Sequence, residues 1–565
     1  MTDATPGSAA QRAGAGLPLA CLLAAYLIFS LFFSWVLVNH DYEAEYLALG
    51  NLAVRGELNL YQDEMTGQWV PLPFYVYGAT QVVFGPSLWP ARLLSVALGA
   101  IVLALIFVIG RRWGGPLAGT AAGALFCSDG LVLGYFNTVN FSALVALLHL
   151  TGIYILFCTN WPKRDVLGMA VFSLLFLAKP HYWPTLPFVL VFLLWRAPSL
   201  PARAAVTAAA AAAPVLFFAS DWSHHIKIFA YVPVLRDWVA PLGFHSWHSL
   251  IEDPSRVWTS DYADIPWETT SGGRAGGMAK SFVFFLKRYA VWVAAFVGLA
   301  ALRLWQWVRQ RNGDGLWGPQ GVRFTFWLFW YLVAWQFVIV GPYIKQSFAY
   351  VGAIAPLLAV VIGWLLSRVW ADGGALPAAA RAAAVGGMAL AVIVSPWVHR
   401  HHNLPRRVSV AHATIPSLDA MARQIAGLIP PGETRVFFIG DPLPIHLAGR
   451  RTYLRQFHQH NMVFTSVRDQ SRYIRSGMWG YAELEQWLGS DAQYAVLQTR
   501  VMQFYRSREP YREILARMDA LLAKNFTLVA TVPGIRGDSL LVYRRNRAVA
   551  EAVPVPIAFL AIQGA

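Results

Sequence analysis

The chain has 565 residues, of which 57% are hydrophobic, 14% are aromatic and only 13% are charged. Soluble domains carry roughly 25% charged residues, so the composition excludes an ordinary soluble protein and indicates a membrane protein. The formal net charge of +15 does not indicate nucleic-acid binding, because much of the arginine excess lies in short clusters between apolar segments, as the positive-inside rule requires. The three cysteines lie in apolar segments and provide neither a disulfide framework nor a thiolate metal site: Cys21, Cys127 and Cys158.

The first apolar segment, residues 17–38, is uncharged over the roughly 20 residues that cross a bilayer. It is too long for a signal-peptide core and has no small-residue cleavage site, so we expect a retained helix after a cytoplasmic tail, 1–16. Directly after it come three acids, Asp41, Glu43 and Glu45. Placing a carboxylate at a membrane boundary costs free energy unless the group is solvated, paired with a cation or needed for function. The alternative is a solvated helix start, where acids favour the helix dipole.

Further apolar segments predict a membrane domain of about eleven spans over residues 17–398. After the first span, the predicted spans are 88–110, 116–134, 141–158, 166–178, 184–195, 204–219, 281–302, 324–340, 348–366 and 382–398. A short proline-bracketed run that ends at Phe84 predicts a helix lying on the outer surface instead.

Basic clusters orient these spans. With the N-terminus inside, one set of clusters falls on the cytoplasmic side, as expected: Arg111-Arg112, Lys163-Arg164, Arg196, Arg303 to Arg311, Arg368 and Arg381. The same assignment puts two outer loops, 39–87 and 220–280, on the opposite side. The outer side then gathers Asp41, Arg92, Asn140, Lys179 and Lys345.

From about His399 the composition becomes that of a soluble protein, which predicts an extracytoplasmic α/β domain over 399–548 and a tail, 549–565. Strands are predicted at 436–440, 494–498, 528–532 and 540–543, and a helix at 510–524. Gly440 and Asp441 at the end of the first strand could mark a ligand site. A turn is the favoured interpretation, because no glycine-rich phosphate loop accompanies them.

The predicted outer face combines carboxylates with separated cations. Lysine and arginine neutralise phosphate, and a carboxylate within hydrogen-bond reach of a hydroxyl can act as a general base. We therefore expect Lys179 and Lys345 to help hold an anionic phosphate while Asp41 takes a proton from an acceptor. For both lysines the alternative is snorkelling from a helix end. The histidines do not indicate a metal, since they lack a spaced carboxylate partner: His181, His224 and His225.

Several short motifs follow the first span in a characteristic order. They are D-Y-E-A-E-Y, G-E-L-N-L-Y, P-L-P-F-Y, F-G-P-S-L-W-P-A-R-L-L-S-V-A-L-G and R-R-W-G-G-P-L-A-G. In this order they resemble the N-terminal half of the GT-C membrane glycosyltransferases, and are closest to family 39, the group of protein O-mannosyltransferases and aminoarabinose lipid A transferases. Tyr61, the segment N-T-V-N-F-S-A-L-V-A-L-L and the phrase L-A-K-P resemble instead the polyprenol-phosphomannose-dependent family 87. The resemblance covers about residues 35–200 and recurs weakly at Gly341 to Pro356.

The resemblance implies a polytopic α-helical membrane protein with the GT-C fold, located in a bacterial inner membrane. It implies an enzyme that moves a hexosyl or pentosyl group from a polyprenyl-phosphate donor to an envelope lipid, glycan or protein on the periplasmic side. No cofactor is expected, and a divalent metal, although possible, is not indicated. In such enzymes the acid after the first helix is the base or orients the acceptor, which implies Asp41, with Glu43 as the next candidate.

The same resemblance and the outer-side assignment give the other expected site residues. For the donor phosphate they are Lys179, Lys345, Arg92 and Tyr343, and for the substrate pocket Tyr42, Tyr46, Tyr61, Asn140 and His181. Family 39 members often carry a lysine where this chain has Val70, and an aspartate where it has Asn140. A second carboxylate would then come from the 220–280 loop, for instance Asp221, Asp261 or Asp264.

A transporter or flippase of a lipid-linked or anionic substrate is the alternative from another class, since many spans and buried charges fit it too. Transporters often show internal repeats and broken helices at the membrane midplane. The sequence shows no half-to-half repeat, and the candidate polar groups gather at one face. A structural or scaffold membrane protein would be favoured only if the outer domain carried the function.

Overall fold

The structure is a computed structural model that describes residues 9–36, 41–58, 60, 70–220, 273–310, 318–340, 350–371, 376–398, 414–453, 456, 479–507, 512–534 and 538–546. The chain divides into two compact units, Met1–Pro416 and Ser417–Ala565. The domain limits drawn from the sequence stay predictions, because the predicted outer loops and the predicted boundary at 398/399 border or contain segments outside the described residues.

The first unit is helical in its described residues. Its helices are α1 (Ala9–Val36), α2 (Asp41–Val54), α3 (Pro71–Phe84), α4 (Leu88–Ser128), α5 (Gly130–Phe136), α6 (Ser142–Cys158), α7 (Arg164–Ser173), α8 (Thr185–Arg196), α9 (Leu200–Ser220), α10 (Gly273–Arg288), α11 (Ala290–Gln310), α12 (Gln320–Trp335), α13 (Ala355–Ala371) and α14 (Ala378–Val398). A 3₁₀ turn, Leu174–Leu177, continues α7, and a π turn, Gln336–Val340, continues α12.

Five of the described helices are long and apolar enough to cross a membrane: Gly16–Val36, Leu88–Ser128, Leu200–Ser220, Ala290–Arg309 and Ala378–Trp397. Two more apolar helices are shorter, Ser142–Cys158 and Ala355–Ala371. The membrane class follows from these helices, while the count of eleven spans stays a prediction. Helix α3 has 14 residues, about 21 Å of helix, which is too short for a bilayer core of roughly 30 Å.

Helix α4 is a hairpin of two legs rather than one straight rod. Gly115 interrupts it with a φ of +79°, a left-handed conformation that glycine adopts without steric cost. The legs then touch backbone to backbone, because a Cβ added to Gly119 would lie 2.6 Å from the Phe107 carbonyl oxygen. The predicted spans 88–110 and 116–134 therefore correspond to the first leg and to the second leg with α5.

The core of this unit is centred on α13, which packs along α4. Nearly every residue of α13 is buried, including the large indole of Trp364. A helix that is apolar on all sides belongs in a core or a membrane, and its 17 residues suit a position enclosed by neighbouring helices. This packing fixes α4, and α4 carries the residues that anchor the acidic helix α2.

The second unit contains a four-stranded sheet. Its elements are α15 (Thr414–Leu428), β1 (Val436–Ile439), α16 (Leu443–Leu447), α17 (Tyr481–Gln486), β2 (Tyr494–Gln498), α18 (Thr499–Arg506), α19 (Arg512–Asn525), β3 (Phe526–Pro533) and β4 (Ser539–Arg545). The strand order is β1-β2-β4-β3, with β1 parallel to β2 and β4 antiparallel to both neighbours. The strands lie within a few residues of their predicted positions, because short runs of valine, leucine and phenylalanine identify buried strands locally.

Asp441 belongs to a turn after β1. Its Oδ1 accepts the backbone N–H of Leu443 at 3.0 Å, at the start of α16, and its own N–H donates to Gln498 Oε1 at 2.8 Å. An aspartate that accepts a backbone N–H two residues ahead stabilises a turn. These bonds support the turn interpretation over a ligand site.

Candidate active site

The acidic helix α2 is held against α3 by a close backbone contact. A Cβ added to Gly78 would fall on the backbone carbonyl of Gly50, and one added to Gly50 would reach the carbonyl oxygen of Phe74. Glycine at both positions therefore allows the helices to approach more closely than side chains would permit. The contact gives the start of α2, which carries Asp41, a defined position.

Glu43 and Arg92 form a fully buried ion pair. Arg92 Nε donates to Glu43 Oε1 at 2.9 Å and Arg92 Nη2 donates to Oε2 at 2.7 Å, with both side chains 0% exposed. Glu43 Oε1 also accepts the Val139 N–H at 2.8 Å, and Arg92 Nη1 donates to the Ser34 carbonyl at 2.6 Å. The pair joins α1, α2, α4 and the loop before α6. The bonds engage both side chains with each other, while the roles expected for Glu43 at the base and for Arg92 at the donor phosphate stay predictions.

Asn140, expected in the substrate pocket, uses its side chain inside its own loop. Its Nδ2 donates to the Tyr135 carbonyl at 2.8 Å and to Thr138 Oγ1 at 2.9 Å. Its Oδ1 accepts the N–H of Ser142 at 2.7 Å, at the first turn of α6. Both ends of the amide therefore order the loop that reaches Glu43 through Val139. The contact with substrate expected for Asn140 stays a prediction.

Tyr46, also expected in the pocket, packs between α2 and α3. Its ring lies 5.0 Å from that of Phe74 in an edge contact and 6.2 Å from that of Tyr77. Tyr77 in turn donates its hydroxyl to the Asn140 carbonyl at 2.8 Å. Tyr46 thus belongs to the packed interface behind the acidic helix.

Lys179 is a second predicted cation, after Arg92, that the structure brings near the acidic helix. It follows the 3₁₀ turn after α7, is only 4% exposed, and places its ammonium 5.0 Å from the centroid of the Phe141 ring. It also interacts electrostatically with Glu45, which is 4% exposed. A lysine from one part of the chain and a carboxylate of α2 therefore interact electrostatically in a site of low dielectric, where charges interact strongly.

Glu45 had no role assigned from sequence, although it lies within the acidic stretch. The signal that could have found it is its spacing, because residues four apart on a helix lie on the same face and Asp41 stands one turn before it. Glu43, two positions from each, belongs to another face, which agrees with its separate partner Arg92.

Aromatic rings form a wall beside Lys179. The Phe141 and Tyr350 rings stack at 5.8 Å, and the His181 ring stacks on Tyr350 at 3.9 Å with an interplanar angle of 19°. The Tyr182 hydroxyl donates to the Tyr350 carbonyl at 2.6 Å. His181, expected in the pocket, is half-buried in this wall. In sequence, residues 341–349 directly precede Tyr350 of this wall.

Several expected site residues lie outside the described part of the chain: Tyr61, Tyr343, Lys345, Asp221, Asp261, Asp264, His224 and His225. Asp41 and Tyr42 begin α2, and the structure describes their backbone only. Among the described side chains, no group of three or more His, Cys, Asp or Glu residues could hold a metal ion.

The chain shares its fold with two solved structures of ArnT. It is similar to the apo crystal structure of ArnT from Cupriavidus metallidurans, with a TM-score of 0.54 and 15% identity. The match covers 96% of this chain and 100% of the ArnT chain. It is also similar to the structure of the same ArnT bound to undecaprenyl phosphate, with a TM-score of 0.51, 16% identity and coverage of 95% and 99%. The likeness confirms the fold that the sequence motifs predicted.

The archaeal oligosaccharyltransferase AglB from Archaeoglobus fulgidus, in complex with an inhibitory peptide and a dolichol-phosphate, gives a TM-score of 0.49 at 12% identity, over 97% of this chain and 76% of that chain. No family model matches the sequence. No curated protein matches it either.

Proposed function

We propose that the protein is a membrane glycosyltransferase that moves a sugar from a polyprenyl-phosphate-linked donor to an acceptor on the outer face of the membrane. The observation that carries the proposal is a buried lysine, Lys179, that interacts electrostatically with Glu45 of the acidic helix α2. The chain also shares the fold of an ArnT structure bound to undecaprenyl phosphate. The fold relation favours this proposal over the transporter alternative.

On the donor side, Lys179 would neutralise the phosphate. Because the ammonium is buried against Phe141, its attraction for an anion is only weakly screened by water. Before the donor binds, Glu45 offsets part of the cost of burying this charge. Tyr343 and Lys345 are proposed to join Lys179 at the phosphate, since their segment leads directly into Tyr350 of the aromatic wall.

On the acceptor side, Asp41 would act as the general base. The acceptor oxygen attacks the anomeric carbon, the bond from that carbon to the phosphate oxygen breaks, and polyprenyl phosphate leaves with the bonding electron pair. The acceptor proton passes to the Asp41 carboxylate. Asp41 lies one helical turn before Glu45 on the same helix, which supports a base close to the proposed phosphate site. Tyr42 and Tyr61 are proposed to line the sugar pocket.

We further propose a bacterial inner-membrane location, with the active site and the second unit on the periplasmic side. The acceptor is an envelope lipid, glycan or protein, the transferred group is a hexosyl or pentosyl unit, and the reaction as proposed uses no metal. The orientation is supported by the basic clusters, which favour the cytoplasmic side.

The test is release of polyprenyl phosphate by the purified full-length protein from a panel of polyprenyl-phosphate sugars, with envelope lipid or glycan added. We expect release with one class of donor, dependent on acceptor, and strongly reduced in Asp41→Asn. A folded protein that releases no polyprenyl phosphate from any donor, yet moves intact donor across a sealed vesicle, would establish the transporter alternative instead.

A further inference from the structure

Residues 179–182, here called the lysine turn, determine the backbone direction at Lys179. The chain forms a 3₁₀ turn over Pro180–Tyr182, and the Tyr182 N–H donates to the Lys179 carbonyl at 3.1 Å. Lys179 itself is extended, with φ −169° and ψ 131°, because a proline disfavours helical geometry in the residue before it. The phrase L-A-K-P therefore takes Lys179 out of the helical path and places it at the start of the turn.

The lysine turn is fastened to the segment that precedes it. Trp183, the next residue, donates its indole N–H to the Phe176 carbonyl at 2.9 Å, and the two rings stack at 4.1 Å with an interplanar angle of 4°. Lys179 thus lies between two sections of chain that contact each other directly. Because its side chain is only 4% exposed, the backbone of the turn determines where the charge lies.

Gln336 joins the lysine turn to α12. It begins the π turn Gln336–Val340, is 0% exposed, and donates from Nε2 to the His181 carbonyl at 3.1 Å. A carbonyl can only accept, so the amide nitrogen is the end that faces it. Gln336 and His181 are 155 residues apart, and π turns occur frequently at functional sites. The bond therefore ties the position of the lysine turn to that of α12.

The amide of Gln336 makes a side-chain hydrogen bond at one end only. Its Oε1 is buried and has no hydrogen-bond partner among the residues that the structure describes. A buried acceptor without a partner costs free energy, and an apolar side chain of similar length, such as methionine, would avoid this cost. Glutamine at this position therefore adds no stability through Oε1, and its contribution is the N–H donated to the lysine turn.

Tyr182 holds the lysine turn from the side of the aromatic wall. Its ring is fully buried, and its hydroxyl donates to the Tyr350 carbonyl at 2.6 Å. The neighbouring His181 ring stacks on the Tyr350 ring at 3.9 Å. Two hydrogen bonds to different parts of the chain, one from α12 and one to the wall, therefore hold adjacent residues of the turn.

We propose that Gln336 and Tyr182 are positioning residues for the donor phosphate, which act through Lys179 by fixing the backbone of the lysine turn. This inference rests on the proposed function, in which Lys179 binds the phosphate. An ammonium that is already held in place binds an anion with less loss of conformational freedom than one that is ordered on binding. Loss of either hydrogen bond should therefore weaken donor binding.

The experiment is a titration of the purified full-length protein with undecaprenyl phosphate, followed by native mass spectrometry at a temperature at which each variant is folded. Gln336→Met removes the bond to the His181 carbonyl and should raise the Kd about fivefold, the effect of one neutral hydrogen bond. Tyr182→Phe removes the bond to the Tyr350 carbonyl and should raise the Kd in the same way.

Gln306→Met is the matched control. Gln306 of α11 is also 0% exposed, donates from Nε2 to the Val369 carbonyl at 3.2 Å, and has a buried Oε1 without a partner among the described residues. Its bond lies at the last turn of α13, whereas Tyr350 precedes the first turn of that helix. Gln306→Met should therefore leave the Kd unchanged, and an equal rise in both glutamine variants would overturn the proposal.

The Lys179→Met background separates positioning from general damage. Gln336→Met should have no further effect there, because the charge that it positions is gone. A rise in Kd that persists in this background, or a wild-type Kd for Gln336→Met, would overturn the proposal and leave the proposed function standing. A wild-type Kd for Lys179→Met alone would instead remove Lys179 from the donor site, and this inference would fall with it.

Discussion

Glu43 of the acidic helix and Arg92 of α4 hold each other through two parallel hydrogen bonds, 2.9 and 2.7 Å long, in a place without solvent contact. Each also bonds a backbone group, Val139 N–H for the glutamate and the Ser34 carbonyl for the arginine. Removing one partner of a buried ion pair strongly destabilises a protein, whereas replacing both partners by apolar residues costs much less. The pair therefore fixes how α1, α2, α4 and the loop before α6 meet.

Glu43→Gln should lower the thermal unfolding midpoint of the purified protein, because it leaves the Arg92 charge buried without its counter-charge. The cost of breaking such a pair is about 3–5 kcal/mol. The double variant Glu43→Gln/Arg92→Met should recover much of the lost stability, since Gln can still accept the Val139 N–H. A single variant that unfolds at the wild-type temperature but has lost turnover would return Glu43 to a catalytic role.

Gly78→Ala should separate α2 from α3. The added methyl would meet the Gly50 backbone, which cannot move as a flexible side chain can, and overpacking of this kind costs about 1–3 kcal/mol. We expect a lower unfolding midpoint and reduced donor turnover. Gly134→Ala in α5 is the control, because nothing lies within 4 Å of its added Cβ. Identical behaviour of the two variants would show that the close contact does not position the acidic helix.

Asp41→Asn should reduce turnover by about 10² to 10⁴, the usual effect of removing a general base, with donor binding unchanged. Glu45→Gln should act differently, because Glu45 is proposed to position Lys179. In Glu45→Gln the KM for the donor should rise, while kcat should fall less than it does in Asp41→Asn. Steady-state kinetics of the two variants with a single donor make the comparison. A near-normal rate for Asp41→Asn beside a large loss of kcat for Glu45→Gln would move the base one helical turn along α2.

Lys179→Met should weaken donor binding about tenfold or more, because methionine keeps the length of the chain and removes the charge that meets the phosphate. Because the substitution also leaves the buried Glu45 carboxylate without the lysine charge, the unfolding midpoint should fall, and donor binding is measured at a temperature at which the variant is folded. Lys524→Met, at an exposed lysine of α19, serves as the control. If donor titration gives wild-type affinity for Lys179→Met, Lys179 does not bind the donor phosphate and is a snorkelling residue at a helix end.

The second unit should lose stability in mild acid through His446. Burial lowers the pKa of His446 from 6.5 to about 4, so between these values the unfolded chain binds a proton that the folded unit does not. Stability is therefore present above pH 6.5 and falls as the pH drops toward 4, by about 3 kcal/mol in total. Hydrogen exchange of the β1 amides in the full-length protein at pH 7 and pH 5, corrected for intrinsic rates, measures the effect. His446→Gln should flatten this dependence, and an unchanged slope in that variant would place its origin elsewhere.

The membrane class and the acidic stretch could be predicted from sequence because both are local signals. Long uncharged segments identify spans, and three carboxylates in the five residues 41–45 stand out after the first of them. The order of the short motifs extended this to the fold, which the ArnT structures share. Strand positions in the second unit were predictable for the same reason, since each strand is a compact apolar run.

The different partners of the acids in the stretch 41–45 could not be predicted from sequence. Glu43 and Arg92 are 49 residues apart, and only the packing of α2 against α4 brings them together. From sequence, Arg92 and Lys179 were equivalent outer-side cations. In the structure Arg92 pairs with Glu43, whereas Lys179 interacts with Glu45. The local bonds that occupy Asn140 were likewise invisible, because an asparagine in a loop has the same sequence signal whether it faces substrate or its own backbone.

The turn at Gly115 couples the entry of two spans into the lipid. The second leg of α4, residues 116–128, covers about 20 Å and is too short to cross a bilayer core of roughly 30 Å alone. It is joined to the first leg through a single non-helical residue, so no soluble loop separates the two during synthesis. The legs therefore leave the translocation machinery as one hairpin, and the arginines next to this turn set the direction of both at once.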